Sequence, residues 1–489
     1  MRMPSKYCLS VLAGVMLALP AFGQTSPAPA NQQAAGGSQG SPASAAAAPQ
    51  ANTSIQIART MDDLRERILL DRIDQLEKRL AELETREASS ASAQSAASAA
   101  PATPAASSSA VQTPASTPPA QEPAAPAPPT WSAGPIDFSG RVSAYYTFNA
   151  NHPANLGACS TPAICGNQLY NFNVQPNQFS LDMAELNMSH TADPVGFELD
   201  LGVGRAFDII AGSEPQPAIF RNLRQAYVSL KPPKGKGFEL DFGKFVTSDG
   251  AEVIETDTNW NYSHSLLFAW AIPYYHFGLR ATYPVNPHFT TGFMVANGWN
   301  NVEDNNSGKL VMFMETYTAK KFTLFANFHT GPENPGTNKG WRHLFDTTLL
   351  LTPSSKFNAY INFDYGHNQN PPGVLTVLGK NDAVWYGIAT ALHFQPTAKW
   401  SFTPRVEWFK DRDGFATNTG VPQDLKEVTL TGEYKWAEGL LSRLEYRRDW
   451  SNQPFFFIGN NLGTLGTGPL KKNQDTITIG FLAFFGPKR

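Results

Sequence analysis

The stretch IDFSGRVSAYYTFN, Ile136 to Asn149, alternates between apolar and polar side chains almost throughout. Because successive side chains of a β-strand point to opposite faces, this alternation predicts a strand with one apolar and one polar face. The stretch is longer than an average soluble strand, and it covers the roughly 9 to 11 tilted residues that a strand needs to cross a bilayer. If later segments repeat the pattern, the chain is a transmembrane barrel with lipid outside and water inside.

The alternation recurs from Trp131 to the last residues of the chain. Its phase switches at Met183 and Ala184, which a β-bulge would produce. We predict an antiparallel barrel of about 16 strands, an even number, as bacterial barrels require. After the segments that begin at Ile136, Phe179 and Val195, the predicted strands are Arg224–Leu230, Phe238–Phe245, Tyr275–Tyr283, His288–Asn297, Lys309–Thr318, Phe322–Phe328, His343–Leu351, Phe357–Tyr365, Val384–Phe394, Trp400–Phe409, Leu425–Trp436, Leu440–Trp450 and Asp475–Phe485.

The connections between these strands alternate in length. Short links with turn chemistry, such as Ala192 to Pro194 and Pro284 to Pro287, separate long polar loops such as Ala150 to Gln178. Short turns on one rim and long loops on the other are typical of outer-membrane barrels. A soluble β-sandwich is the main structural alternative. Aromatic residues at strand ends and a uniform strand length argue against it.

The first part of the chain differs in composition. Residues 1–23 have the basic start, apolar core and small-residue end of a signal peptide. Residues 24–54 are predicted to be disordered, and 89–130 form an Ala/Pro/Ser-rich linker before the barrel of 131–489. Residues 55–88 predict a periplasmic coiled-coil helix, or alternatively a single amphipathic helix, because apolar residues recur at heptad spacing. These residues are Leu69, Ile73, Leu76, Leu80 and Leu83.

Composition and motifs exclude several functions. A formal net charge of -3 gives no basic excess for nucleic acid. Cys159 and Cys165 lie in one loop and are candidates for a disulfide, with two free thiols as the alternative. We expect no cofactor and no metal, because the histidines are scattered and the acidic run Asn300 to Asn306 lacks the spacing of a calcium loop. Ser263-His264-Ser265 has no identifiable third catalytic member, so we expect no enzyme.

Charged residues on the polar face of the predicted strands define candidate pore-lining positions. Both signs are present, so they predict a transverse field across a watery lumen, or else pairs that stiffen or plug the wall. These residues are Arg141, Glu198, Asp200, Glu239, Asp241, Arg280, Arg405, Glu407, Glu433, Lys435, Arg443, Glu445, Arg447 and Asp449.

The long segment Val246 to Pro273 is predicted to fold inward as a constriction loop, because its aromatic content argues against disorder. An ordinary surface loop that caps the barrel is the alternative. Its candidate functional residues are Glu252, Glu255, Asp257, Asn259 and Trp260.

Four blocks of sequence resemble a known family. These blocks are GKFVTSDGAEVIETDTNWNYSHSLLFAWAIPYYHFGLR, VANGWNNVEDNN, RVEWFKDRDGFATNTG and RLEYRRDWSNQPFF. They resemble the OmpL-like putative beta-barrel porin family of bacterial outer membranes, over roughly Ile136 to Phe485. The resemblance implies a general porin and supplies no substrate or catalytic residues. One departure from outer-membrane barrels is that the final aromatic, Phe485, is followed by four more residues.

The sequence thus predicts an outer-membrane porin that lets small hydrophilic solutes diffuse passively, with outer-membrane lipid around it. We expect a homotrimer in the outer membrane, with the coiled coil of the N-terminal extension pinning the trimer in the periplasm. The alternative function is a structural barrel tethered to the periplasm or cell wall by its helical extension. A barrel-embedded lipid hydrolase is a third hypothesis.

Overall fold

The computed structural model describes residues 132–133, 135–153, 166–214, 220–371, 381–459 and 470–486. The predicted signal peptide, linkers and coiled-coil helix lie outside these residues, as do Cys159 and Cys165.

Sixteen strands of the described residues form one closed antiparallel barrel. The fold class predicted from alternation is therefore confirmed, and each predicted strand coincides with an observed one to within a few residues. The strands are β1 (Ile136–Asn149), β2 (Phe179–His190), β3 (Val195–Val203), β4 (Leu223–Leu230), β5 (Glu239–Val246), β6 (Tyr275–Asn286), β7 (Phe289–Ala296), β8 (Leu310–Ala319), β9 (Phe322–Pro332), β10 (Trp341–Ser354), β11 (Phe357–Gln369), β12 (Asp382–Phe394), β13 (Trp400–Asp411), β14 (Gln423–Ala437), β15 (Leu440–Ser451) and β16 (Asn473–Phe485).

Each strand pairs with the next along the chain, and β16 pairs with β1 to close the barrel. At this seam Thr147 lies opposite Thr478, and their hydroxyl oxygens are 2.9 Å apart. The predicted change of phase in β2 is a bulge at Asp182, because Ser143 pairs with Met183 and Ala144 with Leu181. Closure leaves no free edge strand in the barrel wall.

The outer face is apolar, as the alternation predicts. Large hydrophobic side chains remain exposed along it, and aromatic residues lie near the strand ends. On the short-turn rim, the Trp400 ring packs against Tyr434, and Tyr434 packs against Trp436. An apolar band with aromatic rims fits the lipid boundary of a membrane barrel.

The helices of the described residues are short. They are α1 (Arg205–Ile210), a 3-10 turn (Ala211–Ser213) and α2 (Leu266–Trp270). None of the helices in the described ranges has the length and apolar character needed to span a membrane. Helix α2 lies in the long connection between β5 and β6, and its apolar side chains belong to the largest buried cluster.

Candidate functional site: the inner loop and its seat

The connection between β5 and β6, Thr247 to Tyr274, runs inside the barrel, and we call it the inner loop. Many of its residues are buried, among them Tyr262, Ser263 and Leu266, which are each 2% exposed or less. Because interior-facing residues alternate with lipid-facing ones, only the inner face of the wall can cover such a loop. The following contacts define the part of the wall that holds it, which we call the seat.

Glycines in the wall make room for the loop. A Cβ atom built on Gly480 of β16 would lie 2.1 Å from the Tyr262 ring, and one on Gly387 of β12 would lie 2.6 Å from Leu267. Side chains at these positions would collide with the loop. The seat is therefore shaped for the loop at the level of the backbone.

Apolar side chains on the inner face complete this part of the seat. Trp385 of β12 is 2% exposed, and its indole N–H donates to the carbonyl of Ala271 at 3.0 Å. Phe409 of β13 and Leu425 of β14 belong to the same buried cluster as α2. Apolar residues that point into a barrel need a cover, and α2 supplies it.

Helix α2 begins against a carboxylate of the wall. The backbone N–H groups of Leu266 and Leu267 donate to Glu407 Oε2, at 2.9 and 3.3 Å. Ser265 precedes the helix, and its hydroxyl accepts from the N–H of Phe268 at 3.0 Å. Free N–H groups at a helix start need acceptors, and Glu407 and Ser265 satisfy them.

The preceding residues of the loop bind β15 through charged hydrogen bonds. Glu445 accepts the N–H of Tyr262 at 2.7 Å and that of Ser263 at 3.0 Å. Arg443 donates to the carbonyl oxygens of Thr256 and Asn261 at 2.6 and 2.9 Å, and also to that of Asn259. Hydrogen bonds to charged groups are stronger than neutral ones, so β15 clamps the loop backbone.

Two further arginines reach the loop. Arg405 is fully buried and lies 2.7 Å from both Glu252 Oε1 and the carbonyl oxygen of Ser263. Arg447 donates to the carbonyl of His264 at 2.7 Å, and it pairs with Asp449 on its own strand. On β13 and β15, then, the predicted pore-lining charges pair with one another and with the loop.

The opposite edge of the loop is acidic and less buried. Asp257 pairs with Arg141 of β1 at 2.8 Å, and Glu255 pairs with Arg224 of β4 at 2.6 Å. The side chains of Asp257 and Glu255 are 10% and 16% exposed, so solvent reaches this edge. Burial raises the pKa of Asp257, while the Arg141 guanidinium opposes the rise. We call this the acidic edge.

The remaining candidates also lie on the interior face. Asp200 is buried against Arg224, and Asp241 pairs with Arg280 at 2.8 Å. Glu433 pairs with Arg443, whereas Lys435 pairs with Glu438 at the short-turn rim. By strand phase Glu198 and Glu239 share the inner face with Asp200 and Asp241.

The other loop candidates have contacts of their own. The Asn259 side chain bonds the backbone of Val253 twice: its Oδ1 accepts from the N–H, and its Nδ2 donates to the carbonyl oxygen. Asn259 therefore fixes the conformation of the loop itself. Trp260 stacks on Tyr360 and His393 of the wall.

The two motifs set aside in the sequence have structural partners. His264 Nε2 lies 2.8 Å from the carbonyl oxygen of Val253, and burial lowers the pKa of this imidazole. Ser265 is used as the cap of α2. Asn300 accepts the N–H of Tyr274 at 2.7 Å, so the acidic run helps to fasten the end of the inner loop.

Sequence reasoning missed the apolar part of the seat. It also missed the segment 166–178, whose Tyr170, Phe172 and Val174 are buried in the same cluster as α2. A signal was present in β12, where Trp385, Ala389 and Ala391 share the inner phase of the strand. A row of apolar residues on the inside of a water-filled barrel indicates that something covers it.

A closed barrel with an apolar belt, aromatic rims and a loop folded into its interior defines an outer-membrane protein of the porin-like class. Residues 135–485 match the model of the family described as "Putative beta-barrel porin-2, OmpL-like", and the chain belongs to this family. The resemblance seen in the sequence is thereby confirmed.

Solved structures with a similar fold include three bacterial outer-membrane proteins. An anion-selective porin from Comamonas acidovorans has a TM-score of 0.47 at 8% identity, covering 72% of this chain and 99% of that one. The trimer form of OmpT from Vibrio cholerae has 0.45 at 14%, covering 72% and 99%. The channel DcaP of Acinetobacter baumannii has 0.44 at 11%, covering 72% and 97%. Comparison with curated proteins gave no match.

Proposed function

We propose that the protein is a channel through which small hydrophilic solutes diffuse passively across the outer membrane, with its narrowest section beside the inner loop. The observation that supports this proposal most directly is the position of the loop inside the barrel, held by Arg443 and Glu445 of the wall. A loop so fixed narrows a lumen to a defined size. Family membership is consistent with this function.

The acidic edge sets which solutes pass. Glu255 and Asp257 remain partly exposed, and each faces an arginine of the wall. Partly exposed ion pairs that line a narrow aqueous section orient polar solutes and tune ion preference. We propose that the edge carboxylates favour cations.

Conductance of the purified full chain in planar lipid bilayers tests the proposal. We expect open steps of stable size. The double variant Glu255→Gln, Asp257→Asn should shift the reversal potential in a salt gradient towards anions. Asp475→Asn is the matched control, because Asp475 bonds Arg448 and Tyr446 on the outer face and should leave selectivity unchanged. A folded protein that stays silent would refute the channel and favour the structural tether.

We also propose that the protein is a homotrimer. The surroundings of Glu315 on β8 support this proposal of a neighbouring subunit on the outer face. It shares this face with the exposed Phe313 and Tyr317, bonds Thr291 at 2.9 Å, and leaves Oε2 without a partner among the described residues. A carboxylate is costly in lipid, and contact with another subunit would shield it.

Crosslinking of the purified protein in detergent tests the assembly. Wild type should give crosslinked trimers, and Glu315→Leu should change the fraction of chains that is crosslinked as trimers. Deletion of residues 24–130, which include the predicted coiled coil, should loosen trimers while leaving conductance intact. Monomers alone in the full-length protein would contradict the proposal.

A further inference from the structure

Two histidines and an aspartate meet inside the barrel beneath the start of the inner loop. Asp249 belongs to the loop, His276 to β6 and His329 to β9. One ligand atom from each lies within 4.8 Å of the others, and His329 Nε2 is 2.7 Å from Asp249 Oδ2. Three elements that are separate in sequence therefore bring imidazole and carboxylate groups to one point.

All three residues are buried, with His276 0%, His329 1% and Asp249 3% exposed. Their polar atoms are poorly satisfied within the described residues. His276 Nε2, Asp249 Oδ1 and both ring nitrogens of His329 have no hydrogen-bond partner. The close approach of His329 to Asp249 thus lacks the direction of a hydrogen bond. Buried polar atoms left unpaired cost free energy, so they point to a bound group.

The orientation of His276 suits a ligand. Its Nδ1 lies 3.2 Å from the carbonyl oxygen of Gly298, which fixes Nδ1 as the donor and leaves the lone pair on Nε2. Asp249 Oδ2 accepts from the Thr247 hydroxyl at 2.9 Å, which holds the carboxylate in place. Such outer hydrogen bonds are what orient metal ligands in proteins.

The surroundings favour a cation. Asp346 and Asp364 are fully buried on the inner face and interact electrostatically with Asp249. The Arg280 guanidinium also acts electrostatically on His276, but it is already paired with Asp241.

We propose that Asp249, His276 and His329 bind a divalent first-row transition metal ion, with Zn²⁺ as the representative. Two imidazoles and one carboxylate are a ligand set that Zn²⁺ accepts, with a further position for water. The ion would fasten the first residues of the inner loop to β6 and β9. The sequence expectation of no metal relied on local spacing, and the barrel brings distant residues together instead.

The metal content of the full chain tests the proposal. The protein is unfolded in denaturant with a chelator, refolded in detergent with Zn²⁺ and dialysed, because a buried site must fill during folding. Inductively coupled plasma mass spectrometry should find about one zinc ion per chain in wild type. The double variant His276→Gln, His329→Gln should retain at most roughly one tenth as much zinc per chain. His288→Gln is the matched control, since His288 is exposed at the short-turn rim.

Co²⁺ provides a second measurement that does not depend on the variants folding. Wild type loaded with Co²⁺ should show the intense visible absorption of a four- or five-coordinate site, and added Zn²⁺ should remove it. The proposal is overturned if refolded wild type retains no zinc, if the folded double variant retains as much as wild type, or if bound Co²⁺ has a six-coordinate spectrum like that of the hydrated ion. None of these outcomes bears on conductance.

Discussion

Adding one methyl group to the seat should release the inner loop. In Gly480→Ala the new Cβ would lie 2.1 and 2.2 Å from two atoms of the Tyr262 ring. The ring cannot easily swing away, because it is 2% exposed and its hydroxyl lies 2.9 Å from that of Ser143. Overpacking of this kind costs about 2 kcal/mol.

That energy should appear as a change in the opening equilibrium of the loop. About 2 kcal/mol corresponds to roughly a thirtyfold shift in a two-state equilibrium. The backbone N–H groups of Tyr262 and Ser263 donate to Glu445, so their hydrogen exchange reports whether the loop is seated. We expect their exchange in Gly480→Ala to be about thirtyfold faster than in wild type, while the exchange of the barrel strands is unchanged.

Gly432→Ala is the matched control for this experiment. It lies on β14, and the nearest atom to its added Cβ belongs to Phe402 at 3.8 Å, an ordinary contact. Its loop amides should exchange as in wild type. Unchanged exchange in a folded Gly480→Ala barrel, or equal acceleration in both variants, would refute the idea that the wall glycines shape the seat.

Three further predictions follow from the same contacts. Glu445→Gln replaces the carboxylate that accepts the N–H groups of Tyr262 and Ser263 by a neutral amide. The loss of charged hydrogen bonding should cost about 3 kcal/mol. The frequency of conductance fluctuations caused by the loop should therefore rise about a hundredfold. Because burial raises the pKa of Asp257, this carboxylate should be neutralised at a higher pH than a free aspartate, and cation preference should fall there as the solution is acidified. Trp385→Ala, which empties a fully packed position, should lower the free energy of unfolding by roughly 3 to 5 kcal/mol in denaturant titrations.

Each of these predictions has its own contradicting result. Fluctuations of Glu445→Gln that match those of Asp475→Asn would remove the role of the β15 clamp. A pH dependence of ion preference that persists in Asp257→Asn would assign the titration to another group. Trp385→Ala with an unchanged unfolding midpoint would mean that the apolar seat adds nothing to stability.

The barrel was predictable because its rules are local. Residues 136–149 show the two-residue period, and short links such as Ala192 to Pro194 show the turn chemistry, so strand positions and the closed sheet could be inferred without long-range information. Strand phase assigned charged residues such as Arg443 and Glu445 to the inner face, and in the structure both are buried against the inner loop. Their partners were not predictable, because they lie on a loop that joins two other strands.

The seat and the proposed metal ligands were beyond sequence reasoning for a related reason. Whether Trp385 faces water or a loop depends on the path of Thr247 to Tyr274, which carries no periodic signal. Likewise His276 and His329 are each unremarkable in sequence. They meet only because their strands stand on the same side of the closed wall, under Asp249.

The inner loop and the strand that clamps it lie far apart along the chain. The inner loop follows β5, whereas the residues that clamp it, Arg443 and Glu445, are on β15. The loop therefore cannot be clamped until β15 has joined the barrel wall, next to the seam where β16 meets β1. A product truncated before β15 would lack both the seam and the clamp, so its inner loop would lose the charged partners that hold its backbone.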